Sequence, residues 1–239
     1  MMRFLYNLLA VTLIPLLWLL KGAILGVALL PATLLVRWAG QFGWWAAVLG
    51  AGPAYFVFGV DLALLVVLIK WGSLYRARAG EFPFFSFRVV MWALTAQLHD
   101  MACFFFLKQI RGTPYLNVYF RMLGARIGRG VIINTTAIGD WDLITIEDEV
   151  MVGDDAVILA HVGEKGLLKM APVHIGKSCT IGRDTAIFPG VTLGEGAVVA
   201  AMTVVPKGRH LDAMTVWGGT ELHMLRARGG RVPMVEDEK

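Results

Sequence analysis

Of the five histidines in this 239-residue chain, His161 has the setting best suited to chemistry. It lies in ILAHVG, just ahead of GEKGLLKMAP (163–172), where Gly163, Gly166 and Pro172 predict an excursion in place of a continued strand. Imidazole as a class titrates near neutrality, so a positioned histidine can take a proton from an amine or hydroxyl as that group attacks a thioester. Glu164 and Lys169, within the excursion, could shape a pocket for the attacking acceptor. Metal chemistry fits poorly. Cys103 and Cys179 stand alone, and His161 and His174 supply two imidazoles at best, fewer than a zinc site needs. His99, His174, His210 and His223 read as structural or solvent-facing.

From Gly124 onward the chain turns β-branched and glycine-rich, and a period of six emerges. Aliphatic residues fall at Ile127 and Ile133, at Ile146, Val152 and Ile158, and at Ile175, Ile181, Ile187, Leu193, Val199 and Val205. Four places after these, a second slot is small or β-branched, from Val131 and Ala137 through Val162 and Cys179 to Thr203. Such a repeat predicts short parallel strands stacked as a solenoid, whose aliphatics form a continuous core that no single turn could bury. Glycine after the aliphatic, as at Gly128, Gly153, Gly176, Gly182 and Gly194, allows tight corners.

These residues resemble the hexapeptide-repeat family, which implies a left-handed parallel β-helix with three hexads per turn, here about four coils. GTPYLNVYFRMLGARIGRGV (112–131), DLITIEDEV (142–150) and the stretch from His161 to Ile175 are similar, more narrowly, to the membrane-embedded C-terminal module of poly-lysine-synthetase-type nonribosomal peptide synthetases. At three hexads per coil, the rows starting at 127, 146, 175 and 193 share one face. Those at 133, 152, 181 and 199 share a second, and those at 139, 158, 187 and 205 a third. His161 then falls at a corner, with Asp142 or Leu143 one coil earlier and Gly190 one coil later. Strands stack about 4.8 Å apart, so Asp142 is expected to reach and orient the imidazole.

In the resembled family a corner histidine followed one coil on by Pro-Gly carries the base, and here those residues are His161, Pro189 and Gly190. The resemblance also implies a homotrimer, with a pantetheine arm running between neighbouring β-helices. Ala200 and Ala201 are candidates for the groove wall, and Lys177, Arg183, Lys207 or Arg209 for phosphates. Met202 stands where the common acetyltransferase pattern has a small residue, and Gly218-Gly219-Thr220 replaces its usual ending. The donor is therefore expected to be an acyl-CoA or a phosphopantetheinyl carrier-protein thioester, with no covalently held cofactor. The rival reading is a non-catalytic membrane scaffold for a biosynthetic complex, in which His161 is dispensable.

The first half must anchor this device. With 57% hydrophobic and 17% charged residues the chain is greasier than ordinary soluble domains, at about 45–50% and 25%. The excess lies in 4–36, split at Lys21-Gly22 into one kinked crossing or two short ones, and in 43–69, whose only charge is Asp61. Two crossings are preferred. A signal peptide fits less well, since no small-x-small cleavage site ends the first run. Cations at Lys70, Arg76, Arg78, Arg88, Lys108, Arg111, Arg121, Arg126 and Arg129, opposed by Glu81 and Asp100, place the β-helix on the cytoplasmic side. They fit anionic lipid and give no reason to expect nucleic acid.

The expected domains are transmembrane helices over 1–81, interfacial amphipathic helices over 82–124, the β-helix over 125–217, and a short helix (ELHMLRAR) with a polar tail over 218–239.

Overall fold

A computed structural model describes residues 2–73, 75–219 and 222–227, with side chains over 14–73, 75–219 and 222–225. It divides into two compact units, Met1–Leu74 with Ala93–Leu107, and Tyr75–Trp92 with Lys108–Lys239.

In the first unit, α1 (Met2–Gly40) and α2 (Trp44–Gly72) pair across a short turn. Ile14–Gly40 and Trp44–Gly72 are each long and apolar enough to cross a membrane, by length and composition. The expected break at Lys21-Gly22 is absent: α1 runs through it, and Lys21 Nζ donates 2.7 Å to Gln97 Oε1. Small residues let the helices approach. A Cβ on Gly50 would lie 3.0 Å from that of Ala39, and the Phe106 ring fills the space beside Gly59. Asp61 Oδ2 is buried, with no hydrogen-bond partner among the described residues.

In the second unit, very short strands recur in fixed rotation through three parallel sheets. One sheet stacks β2 (Arg126–Ile127), β4 (Ile144–Ile146), β9 (Val173–Ile175), β12 (Thr192–Leu193) and β15 (His210–Leu211). A second stacks β3 (Ile132–Ile133), β5 (Met151–Val152), β10 (Thr180–Ile181), β13 (Val198–Val199) and β16 (Thr215–Gly218). The third stacks β6 (Val157–Ile158), β11 (Ala186–Ile187) and β14 (Val204–Val205), with Ile138 bridged to Ile158. The second residue of each strand pair points inward, so Ile133, Val152, Ile181 and Val199 form one column and Ile138, Ile158, Ile187 and Val205 another, all buried. The period runs further than 205, adding Leu211 and Trp217 to the stacks.

Corners recur at the same interval, through left-handed residues that include Glu149, Asp155, Ser178, Asp184, Met202 and Met214. Glycine is obligatory where coils touch: a Cβ on Gly182 would sit 2.4 Å from the Ala201 backbone nitrogen.

Four expectations are corrected. The third-face residue before Ile158 is Ile138, not 139, and Ala137 is exposed while Thr135 and Thr136 are buried. The chain makes five steps from Ile133 to Ile138, then spends its surplus on a 3-10 turn at Trp141–Leu143 opened by left-handed Asp140.

The excursion at 163–172 is a hairpin of β7 (His161–Glu164) and β8 (Leu167–Met170), because Lys165 and Gly166 at φ 50° and 80° make a two-residue turn whose twist suits paired strands. Residues Gly80–Pro83, expected to be helical from 82 onward, form β1 and pair antiparallel with β8. Helices follow as α3 (Phe87–Phe105) and α4 (Pro114–Met122).

The expected C-terminal helix is instead β17 (His223–Ala227), which covers the β16 edge. Glu221 and the polar tail lie outside the described residues. Beneath the hairpin, Leu168 and Met170 pack with Ala77, Val89, Phe82 and Trp92.

Candidate active site

His161 opens β7, where the chain leaves the third parallel sheet. The 20-residue step between bridged Ile138 and Ile158 (158 − 138) sets the register, so Asp140 lies beside Ala160 and His161. Asp140 Oδ2 lies 2.6 Å from His161 Nδ1 and accepts the Ala160 N–H at 3.1 Å. Oδ1 of the same carboxylate accepts the Trp92 indole N–H at 2.8 Å. The Asp140 side chain is fully buried, whereas that of His161 is 21% exposed. The Trp92 ring meets the imidazole edge-on, centroids 4.7 Å apart.

Asp142, expected in this orienting role, instead accepts the Ala77 N–H at 2.9 Å and so tethers the segment before β1. With the third row at 139 the step is 19 and the count from His161 lands on Asp142, whereas the observed step of 20 sets Trp141 there and Asp140 beside Ala160, from which its carboxylate reaches the imidazole. The motif GDWDL holds both acids. Trp92, far from the repeats, leaves no such trace.

The β6–β11 register offsets residues by 29 (187 − 158), which counts Gly190 one coil after His161, and Gly190 itself lies against Gly208 and Ala171. A pocket of about 340 Å³ adjoins this corner, lined by residues that include Glu81, Val162, Lys169, Pro189, Gly190 and Lys207 but not by His161. Gly190 has φ 77°, and Pro189 is buried beside it.

Charges alternate around this pocket. Lys169 Nζ lies 3.2 Å from Glu81 and 3.8 Å from Glu164, and Glu164 accepts from Lys207 Nζ. That hydrogen bond holds the Glu164 carboxyl below the usual carboxylate range. Burial, then the Asp140 carboxylate, pushes the Tyr75 phenol up.

The remaining expected donor-binding residues are not gathered at the pocket. Lys177 is exposed and its backbone N–H donates to Glu147, while Arg183 Nε donates 3.0 Å to Asp184. Ala200 and Ala201 occupy the turn after β13, Ala200 half-buried and Ala201 exposed. Of the other histidines, His174 pairs with Glu147 at 3.2 Å, and buried His99 lies 3.2 Å from Cys103 Sγ.

A family model described as the hexapeptide repeat of succinyl-transferase matches residues 172–206. A delta-poly-L-ornithine synthetase of Acinetobacter baumannii is 28% identical over 167 residues, 69% of this chain but 12% of that protein, so the chain spans a small part of this relative's length. An Escherichia coli protein proposed by its name to be a colanic acid biosynthesis acetyltransferase, WcaF, is 28% identical over 134 residues, 45% of this chain and 72% of that one. Among solved structures, a hexapeptide-repeat acetyltransferase of Vibrio cholerae, crystallised with acetyl coenzyme A, is 20% identical with a TM-score of 0.47, covering 61% of this chain and 92% of that one. The chain is thus similar to hexapeptide-repeat acyltransferases and, over a longer stretch, to part of a poly-amino-acid synthetase.

Proposed function

We propose that this chain is a membrane-anchored acyltransferase that moves an acyl or aminoacyl group from a pantetheine thioester to an amine or hydroxyl acceptor, with His161 as general base. The observation that carries this reading is the 2.6 Å contact between His161 Nδ1 and buried Asp140, beside the pocket at Gly190. With Nδ1–H held by the carboxylate, Nε2 keeps the lone pair a base needs. Nε2 takes the proton from the acceptor as its nitrogen or oxygen bonds to the thioester carbonyl. The C–S bond then breaks, and the departing sulfur takes the proton back from the imidazolium.

Asp140 replaces Asp142 as the orienting acid. Glu164, Lys169 and Gly190 shape the acceptor side. Ala200, Ala201, Lys177, Arg183 and Lys207 are assigned to the donor, and Lys207 has to exchange Glu164 for a phosphate to serve there. Coenzyme A is the donor suggested by the acetyltransferase relatives. A carrier-protein thioester is the one suggested by the synthetase relative.

We further assign two crossings to α1 and α2. Exposed Trp38, Phe42, Trp44 and Trp45 around their turn suit a membrane–water interface. The positive-inside rule then puts the repeats on the cytoplasmic side. The family resemblance suggests a homotrimer of left-handed β-helices of about four coils, over 125–217, with 82–124 along the interface.

The test is single-turnover thiol release, with acetyl-CoA or an aminoacyl-pantetheine as donor and an acceptor identified by mass spectrometry of copurifying material. The comparison is between wild type and His161→Ala of matched thermal stability. A drop of roughly 10²–10⁴-fold is expected, the usual worth of a positioned base. Equal rates would overturn the assignment and favour the scaffold reading.

A further inference from the structure

Asp140 is an expensive residue to place. Its backbone is left-handed, at φ 57° and ψ 45°, and its carboxylate is sealed from water. Both costs are tolerated where several groups fix one geometry. Three donors do so: the backbone N–H of Ala160 and the ring of His161, both from the third-face corner, and the indole N–H of Trp92. Trp92 alone comes from outside the repeats, from α3, 48 residues before Asp140.

We infer that Trp92 is a positioning residue of the base, acting through Asp140. A carboxylate held by Oδ2 alone can swing about its Cβ–Cγ bond and offer either oxygen to the imidazole. The indole N–H pins Oδ1, so Oδ2 stays on Nδ1 and the Nε2 lone pair is kept for the acceptor. The edge-on ring at 4.7 Å also restricts rotation of the imidazole, which would exchange its two nitrogens. A tryptophan serving packing alone could satisfy its N–H on any nearby carbonyl. This one donates to the acid that touches His161. The repeats therefore carry the base but not all of what holds it, and the start of α3 belongs to the catalytic device.

The inference rests on His161 being the base, and the experiment separates the two claims. Full-length protein with ¹⁵N-labelled histidine is studied in detergent across a pH series, the tautomer being read from the ¹⁵N shifts of the neutral ring and the His161 signal assigned from His161→Ala. Wild type is expected to show the Nδ1–H tautomer alone, and Asp140→Asn to disturb it. Trp92→Phe, which keeps an aromatic ring and removes the donor, is expected to give mixed tautomers. Its kcat should fall by about tenfold with KM unchanged, as partial loss of base orientation predicts.

Should Trp92→Phe fail to fold, benzothienylalanine at position 92 preserves the indole shape without its N–H and is expected to give the same mixture. An unchanged tautomer in the folded variant, with kcat intact, overturns the inference even if His161→Ala is inactive. Full activity in His161→Ala overturns instead the reading on which it rests.

Discussion

Asp140 and His161 meet across a break in the repeat, with Oδ2 and Nδ1 2.6 Å apart. The repeat shortens to five residues before Ile138, and the following turn at Trp141–Leu143 absorbs the surplus. This irregularity raises the Asp140 carboxylate against the strand above. A perfectly periodic chain would have continued the column without aiming a charged group at the corner.

The two acids of GDWDL should therefore separate cleanly. Asp140→Asn is expected to lower single-turnover transfer by roughly 10²-fold, because an amide can present a donor to Nδ1 and favour the wrong tautomer. Asp142→Asn keeps an oxygen to accept from Ala77 N–H and should transfer near the wild-type rate. The reverse order would return the orienting role to Asp142.

The solenoid was legible because its signal is covalent in the sequence: an inward aliphatic every six residues, over Ile146–Ile158 and again over Ile175–Val205, has to stack on its neighbours to be buried. Register across an irregular coil was not legible. A strict count of six from Ile133 lands on Gly139, whereas the aliphatic Ile138 beside it is the residue bridged to Ile158. The hairpin was hidden for a related reason. Gly166 does mark the turn, but Gly163 lies within β7, and β8 is flanked on its other side by β1, far away in sequence. Asp140 and Trp92 thus lay beyond any reading of local pattern, whereas His161 and Gly190 followed from the period.

Gly182→Ala tests the contact between coils. The new Cβ would lie 2.4 Å from Ala201 N and 2.6 Å from its Cα, both backbone atoms of the adjacent corner. Neither can swing aside, so the coils must separate. A loss of about 1–3 kcal/mol is expected, read as a lower melting temperature by near-ultraviolet dichroism. An unchanged midpoint would mean that the corner is more pliant than its packing implies.

The Glu164 to Lys207 hydrogen bond should make hairpin order depend on pH. The folded carboxyl is held below its ordinary value, so the contact contributes above that value and is lost as pH falls through the depressed one. Amide exchange in β7 and β8 should therefore be slower in wild type than in Glu164→Gln at neutral pH. The gap should close once pH drops below the carboxylate range. High salt should narrow it too, since Lys207 is largely exposed. A gap that persists in acid would assign the protection to packing of Leu168 and Met170.

Cys179 offers a probe of the repeat core with the opposite pH sign. It fills the small inward slot, fully buried, and its thiol donates 3.0 Å to Gly194 O. Burial pushes the thiol up to about 11, from an ordinary value of 9.0. A raised folded value means that the folded state holds the proton more tightly. The resulting stability is complete below pH 9.0 and is lost as pH rises toward about 11. Iodoacetamide at about pH 8 should accordingly leave Cys179 unmodified in the folded chain, since thiolate is the reactive form. Modification should appear with denaturant, in step with loss of the β signal. Between pH 9 and 11 the wild type should lose stability faster than Cys179→Ala, which has no thiol to ionise. Rapid labelling at pH 8 without unfolding would show that the coils open locally at Cys179.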